Sequence, residues 1–332
     1  MDLTPAIQLT SEGKIAEATD FLRRAAATGD GDALAALAKH LLLHRPDLAR
    51  EGMGAASAAV KAGNGEAAHL LAVFIAAGVG FKADWDVALN ALLHSAEHGW
   101  TPAQRELQLL SGETGTDWMR LRAKTDIPAW LRSPPAQPLL AEPRIFAVGN
   151  FASPAVCDWL ITLSRPHMKP AMTYDPASGG THYESSRTNS ACHLVLPLSD
   201  LVVAFIRARM ASVTGLSLSW FEITTFLHYR PGQVFAPHHD YLDDRLPGYV
   251  REVADHGQRV LTFLLYLNDD FEGGETEFPL AGIRHKGGKG DALFFWNVHR
   301  DGTLDEKTLH AGLPPSLGEK YLLSQWVRNK PV

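Results

Sequence analysis

The sequence predicts two domains of different class, an N-terminal α-helical repeat array and a C-terminal α+β domain. Three observations predict this: an alanine-rich helical motif recurs through residues 1–130, prolines crowd the stretch that follows, and short β-rich segments dominate from Ser219 onward. A chain of 332 residues is long enough for two cores, and 45% apolar with 20% charged residues is ordinary for a globular protein. A net charge of −6, with no basic run, argues against nonspecific nucleic-acid binding. Residues 1–14 have neither the positive start nor the apolar run of a signal peptide, and the longest apolar run, Leu70–Gly80, is too short to span a bilayer. Two cysteines, Cys157 and Cys192, cannot build a disulfide framework and suit a reducing compartment. The expectation is a cytoplasmic protein without a membrane partner.

In the first domain, Arg24–Gly29 with Ala33 recurs as Ala58–Gly63 with Ala67 and as Ser95–Gly99 with Ala103, so the glycines are 34 and 36 residues apart. Each glycine is placed to end a helix in the left-handed conformation, and small residues let paired helices approach closely. Residues 67–99 resemble a Sel1-like repeat, the helix-pair relative of the tetratricopeptide repeat; His44–Asp47 interrupts the loop expected in the preceding unit. Two readings stand: a bundle that only supports its neighbour, or a concave surface that holds a protein partner. A last helix is expected near Thr116–Lys124. Ser133-Pro134-Pro135-Ala136-Gln137-Pro138, with Pro143 beyond, cannot continue it and reads as a semi-rigid linker over 131–142. The domains are therefore expected at 1–130 and 143–332.

Arg144–Val148 reads as a strand, and Ser153-Pro154 as an N-cap and first helical residue for a helix with Val156, Trp159, Leu160 and Leu163 on its apolar face. Tyr174–Ser186 is a polar loop that reads either as a functional lid or as simple surface disorder. Ser199–Met210 is expected to be helical. Strands are expected at Ile223–Tyr229, Val260–Leu267, Ala292–Trp296 and Tyr321–Val327, separated by Asn268–Asp270, Gly273-Gly274, Gly287-Gly288 and Gly312–Gly318.

The chemistry centres on Tyr229–Asp240. In an extended strand His238 and Asp240 share a face while His239 is turned away, as His228 is. With His310 they supply two imidazoles and a carboxylate, the donor set of non-haem Fe(II) oxygenases, which leaves coordination positions open. A zinc hydrolase also uses such donors, but it has no need of Lys320, ten residues after His310. A lysine in an apolar barrel costs several kcal/mol unless an anion neutralises it.

The surrounding residues form ordered motifs: Tyr229-x-x-Gly232-Gln233, Pro237-His238-His239-Asp240, Gln258-Arg259-x-x-Thr262, Tyr266-Leu267-Asn268, Gly273-Gly274-Glu275-Thr276-x-Phe278-Pro279, Gly290-Asp291-Ala292-Leu293-x-Phe295-Trp296, Leu309-His310-Ala311-Gly312 and Gly318-x-Lys320. Taken together, Pro143–Trp326 resembles the prolyl 4-hydroxylase family of Fe(II)- and 2-oxoglutarate-dependent dioxygenases. The resemblance implies a double-stranded β-helix, or jelly-roll, core flanked by helices. It implies Fe(II) held by His238, Asp240 and His310, with 2-oxoglutarate and O2 as co-substrates and ascorbate as a further ligand. Lys320 takes the distal carboxylate of 2-oxoglutarate, Tyr229 reaches the same molecule, and Ser324, on the face of Lys320, supports it. Tyr266 is a second tyrosine for that task, with cross-strand packing as its alternative.

The same resemblance implies that a prolyl residue in a protein or peptide is hydroxylated while 2-oxoglutarate is decarboxylated to succinate. Substrate contacts are expected from Arg259, Trp326, Arg187 and the loop Tyr174–Ser186. Arg259 has a structural ion pair with Glu275 or another carboxylate as its alternative, and Phe235 stands where relatives often carry tyrosine. The same chemistry on a free amino acid or small metabolite remains open, since a barrel does not encode its substrate. An inert interaction scaffold is the reading from another class, and the four costly polar groups argue against it.

Overall fold

In the computed structural model, residues 2–79, 82–175 and 180–332 are described; residues 80 and 81 of the second repeat, and 176–179 of the polar loop, lie outside the described residues. The chain packs as two units, one made of 1–130 with 195–205, the other of 131–194 with 206–332.

The first unit contains the helices Thr4–Ser11, Ile15–Ala26, Gly31–His44, Ala49–Lys61, Gly65–Ala77, Trp85–Glu97, Thr101–Ser111 and Trp118–Lys124, each packed against the next for most of the series. The recurring glycines mark the same point in successive pairs: Gly29, Gly63 and Gly99 have φ of 79°, 80° and 80°. The following residue caps the next helix in two of the three. Asp30 accepts from Ala33 N and Asn64 from Ala67 N, both at 2.8 Å. At the third position Pro102 opens the helix instead. Alanines 18, 33, 38 and 56 are fully buried between helices, which explains the composition.

The expected helix Ser199–Met210 is Leu201–Thr214, and its first turn belongs to this helical unit. Phe205 stacks on Trp85 with ring centroids 4.3 Å apart. Glu106, fully buried, accepts from Leu201 N at 2.5 Å and pairs with His69 at 2.8 Å. A single boundary along the chain leaves 195–205 in the other domain, because nothing local marks a segment that returns.

In the second unit an antiparallel sheet of eight strands runs in the order Gln137–Leu140, Ile145–Val148, Ala292–Trp296, Arg259–Tyr266, Lys320–Arg328, Thr224–Tyr229, Ser190–Leu194, Lys169–Pro170. A four-stranded sheet has the order Ile283–His285, Thr276–Phe278, His310–Gly312, Phe235–His238. Both contribute to one core, with Phe278 of the smaller sheet edge-on to Phe295 of the larger and close to Leu264, Leu293 and Leu322.

Part of the stretch expected as a linker is a strand: Gln137–Leu140 pairs with Ile145–Val148. Pro138 is tolerated there because this is the edge of the sheet, where an N–H is not required on the outer side. Ser153 caps Pro154–Ser164 as expected from the sequence. The apolar pattern of the sequence marks no helix at Pro247–His256, yet one forms there, with none of its residues buried. No helix among the described residues is long and apolar enough to cross a membrane.

Candidate metal centre

His310 stands directly opposite His238 across the antiparallel pair His310–Gly312 and Phe235–His238. Their ring centroids are 4.3 Å apart. The strand ends at His238, so Asp240 lies in the bend beyond it rather than on the strand, contrary to the simple alternation argument. The bend nevertheless returns the carboxylate between the two rings. Asp240 Oδ1 is 3.6 Å from His238 Nε2, and Oδ2 is 3.4 Å from His310 Nε2. Among the described residues this is the one group of His, Cys, Asp and Glu side chains whose ligand atoms converge, within 4.8 Å.

The ring tautomers follow from the outer hydrogen bonds. His238 Nδ1 faces Ala236 O at 2.8 Å and His310 Nδ1 faces Thr308 O at 3.0 Å; a carbonyl only accepts, so each Nδ1 donates and Nε2 is the ring atom turned to the centre. Burial, reinforced by His238, pushes the His310 pKa down to about 4, although Asp240 opposes it. Burial alone would raise Asp240, but His310 and His238 beside it and the Thr262 hydroxyl hold its carboxyl well below the usual range. An ionised carboxylate and neutral imidazole fit a divalent cation such as Fe(II), by donor chemistry. Phe235 lies flat on His238, ring centroids 3.5 Å apart, and the Arg187 guanidinium lies over the Phe235 ring, 4.4 Å from its centroid.

The pocket beside the triad is lined by Lys320, Leu322, Ser324 and Trp326, alternate residues of one strand, and by Tyr229, Thr276, Gly312 and Arg187. Lys320 is wholly buried and donates to Gly274 O at 2.6 Å. It forms no ion pair among the described residues. Burial pushes its pKa down to about 7, against the pull of Glu275.

Tyr266 does not line this pocket. Its hydroxyl meets Thr276 Oγ1 at 2.9 Å and donates to His285 O at 3.3 Å, so packing, the alternative reading, describes its place, and Thr276 presents itself to the pocket instead. Arg259 also lies outside, clamped on Glu222 at 2.8 and 3.0 Å and stacked 3.7 Å from the centroid of the Trp326 ring. Its carboxylate partner is thus Glu222, not Glu275, and Glu222 binds Arg328 as well. His228 is bound to Glu319 and His239 to the Glu306 carbonyl, both away from the centre. At the start of the polar stretch Thr173–Asp175 pairs antiparallel with Gly180–His182.

Four residues at or beside the centre, Thr276, Gly312, Thr262 and Asn297, are not among the expected site residues. Thr262, Thr276 and Gly312 stand within the ordered motifs, three residues after Arg259, next to Glu275 and two residues after His310, and that placement is their signal. Asn297 follows a strand and carries no local mark.

Residues 224–328 match the model of the 2OG-Fe(II) oxygenase superfamily. The chain is 35% identical over 202 residues to prolyl 4-hydroxylase 1 of Arabidopsis thaliana, covering 57% of this chain and 70% of that one. It is 32% identical over 235 residues to probable prolyl 4-hydroxylase 3 of the same plant, covering 65% and 74%. Among solved structures, the viral collagen prolyl hydroxylase of Paramecium bursaria Chlorella virus-1, in its 2OG complex, aligns with 28% identity over 55% of this chain and 95% of that one, with a TM-score of 0.43.

Proposed function

Since the chain belongs to the prolyl 4-hydroxylase family of 2OG-Fe(II) oxygenases, we propose that it hydroxylates prolyl residues of a protein or peptide, with decarboxylation of 2-oxoglutarate to succinate and CO2. His238, Asp240 and His310 would hold Fe(II). Lys320 would bind the distal carboxylate of 2-oxoglutarate, with the hydroxyls of Ser324, Thr276 and Tyr229 on the same wall. When bound, the metal and its co-substrates supply the oxidation, and the protein supplies open positions and a shaped cavity.

The observation that carries this reading is the coincidence, in one pocket, of a converging His/Asp/His triad and a buried lysine that has no ion-pair partner among the described residues. A buried ammonium in that state is made for an anion that arrives from outside. The apolar wall of Leu227, Leu264 and Leu322 keeps water from the centre, and Arg187 and Trp326 line the pocket where peptide would approach.

We further read the two sheets as the double-stranded β-helix of the family, and the N-terminal helices as a Sel1-like array that holds the protein substrate. The free, buried cysteines suit a reducing compartment, and we place the enzyme in the cytoplasm.

The test is incubation of the full chain with Fe(II), 2-oxoglutarate, O2 and a panel of proline-containing peptides. Succinate release and a gain of one oxygen on proline are expected, both lost in His310→Ala. Wild-type protein that neither binds nor turns over 2-oxoglutarate with any peptide would overturn the reading.

A further inference from the structure

Behind Asp240 a chain of hydrogen bonds runs into the larger sheet. Thr262 Oγ1 donates to Asp240 Oδ2 at 2.7 Å and accepts from Asn297 Nδ2 at 3.0 Å. Both residues are buried, Thr262 at 1% and Asn297 at 0% exposure. The direction of this chain is forced. An ionised carboxylate only accepts, so the Thr262 proton is committed to Asp240, and the hydroxyl oxygen can then only accept from the next group. Asn297 must present its nitrogen, and its own Oδ1 accepts from no described residue. A flipped amide would set two acceptors face to face.

Both groups have rigid anchors. Thr262 sits mid-sheet, opposite Phe295 on one side and Trp326 on the other. Asn297 is fixed by its backbone, with N donating to Val260 O at 2.9 Å and O accepting from Asp305 N at 3.1 Å. Asp240 has no such frame, since it lies in a bend two residues past the end of its strand. His238 and His310 take their orientation from facing strands and a carbonyl each, whereas the carboxylate depends on side-chain bonds.

We propose that Thr262 and Asn297 are positioning residues for the metal centre: Asn297 orients the Thr262 hydroxyl, and Thr262, through Oδ2, holds the Asp240 carboxylate between the two rings. This rests on the reading of His238, Asp240 and His310 as the metal ligands. Groups that orient a ligating carboxylate commonly govern metal affinity by about 10- to 100-fold.

The test is titration of the full chain with Co(II), followed by visible absorption, in wild type, Thr262→Val, Thr262→Ser and Asn297→Leu. Thr262→Val is expected to raise the Co(II) Kd about 10- to 100-fold and to shift the ligand-field band, with both restored by Thr262→Ser. Asn297→Leu, which leaves Thr262 in place but its hydroxyl unguided, is expected to raise Kd several-fold. Affinities of the Val and Leu variants within twofold of wild type, or no rescue by serine, would overturn the proposal. Should Thr262→Val fail to fold, Asn297→Leu decides alone. A wild-type chain that takes up no Co(II) sinks the ligand reading instead, which is a different result.

Discussion

Lys320 stands directly opposite Tyr229 in the pair of strands Lys320–Arg328 and Thr224–Tyr229, its ammonium 5.2 Å from the centroid of the tyrosine ring. The ring supplies a polarisable wall but no neutralising charge, so the lysine keeps an unmet demand for an anion. Replacing it with methionine removes a charge-assisted hydrogen bond to 2-oxoglutarate, of about 1.5–3 kcal/mol, and so raises the 2-oxoglutarate KM by about 10- to 100-fold. The same change relieves an unpaired buried charge, and the ligand-free Tm at pH 7 is expected to rise. Steady-state kinetics and thermal melts on one preparation check both signs. A lower Tm with unchanged KM contradicts them.

The depressed pKa of Lys320 has a consequence for pH. Folded Lys320 loses its proton near 7, while an unfolded lysine keeps it to near 10.5. Between those values the unfolded chain binds more protons, so this group makes stability rise with pH from about 7 to 10.5 and contributes no slope below 7. Binding a dicarboxylate needs the ammonium form. The 2-oxoglutarate Kd is therefore expected to be flat below pH 7 and to increase above it, by up to about tenfold per unit. Calorimetric titrations across pH 6–9 measure this, and Lys320→Arg should flatten the curve, because guanidinium stays protonated throughout.

Gly312 is where the smaller sheet meets Tyr229. A Cβ at that position would lie 3.1 Å from the tyrosine hydroxyl and 3.4 Å from the ring. Gly312→Ala is expected to push the phenol aside and raise the 2-oxoglutarate KM several-fold, with metal affinity unchanged. In a Tyr229→Phe background the added methyl meets no hydroxyl, so its effect should shrink. Equal effects in the two backgrounds would show that the methyl acts elsewhere.

What the sequence made legible here is what period-two alternation and local motifs can carry. Lys320, Leu322, Ser324 and Trp326 share a face because they are alternate residues of one strand, and they line one pocket. Asp240 reads as a strand residue because its neighbours do, and only the fold shows the bend. Arg259 could not be matched to Glu222, 37 residues earlier, since an ion pair closed by tertiary folding leaves no local trace. The helix Pro247–His256 did carry signals, proline at its start and Gly257 at φ 79° after its end, but no apolar stripe drew attention to it.

Glu222 serves two arginines at once. It accepts from Arg259 at 2.8 and 3.0 Å and from Arg328, with the three side chains only 16%, 19% and 5% exposed. Glu222→Ala leaves the part-buried Arg259 without its carboxylate, while Arg328 keeps Glu252 at 2.7 Å, and a loss of about 3–5 kcal/mol is expected, read as a lower denaturant midpoint. Because Arg259 also braces the Trp326 ring, peptide KM should rise while the 2-oxoglutarate KM stays near wild type. Destabilisation below about 1 kcal/mol would mean that solvent already screens the cluster.

Truncation at residue 130 tests the composition of the helical unit. Val195–Phe205 is packed within it, Phe205 lying against Trp85 and Trp130, and Leu201 N against Glu106. A chain of 131–332 exposes the Phe205 ring, at a cost of about 1.5–3 kcal/mol, and leaves the start of its helix without the Glu106 acceptor. Lower soluble yield, dye binding to exposed apolar surface and a reduced Tm are expected. Phe205→Ser in the truncated chain should reduce the dye binding, since it removes the apolar ring itself. A truncated chain that is monomeric, binds no dye and melts with the full-length protein would show that residues 195–205 do not need the helices.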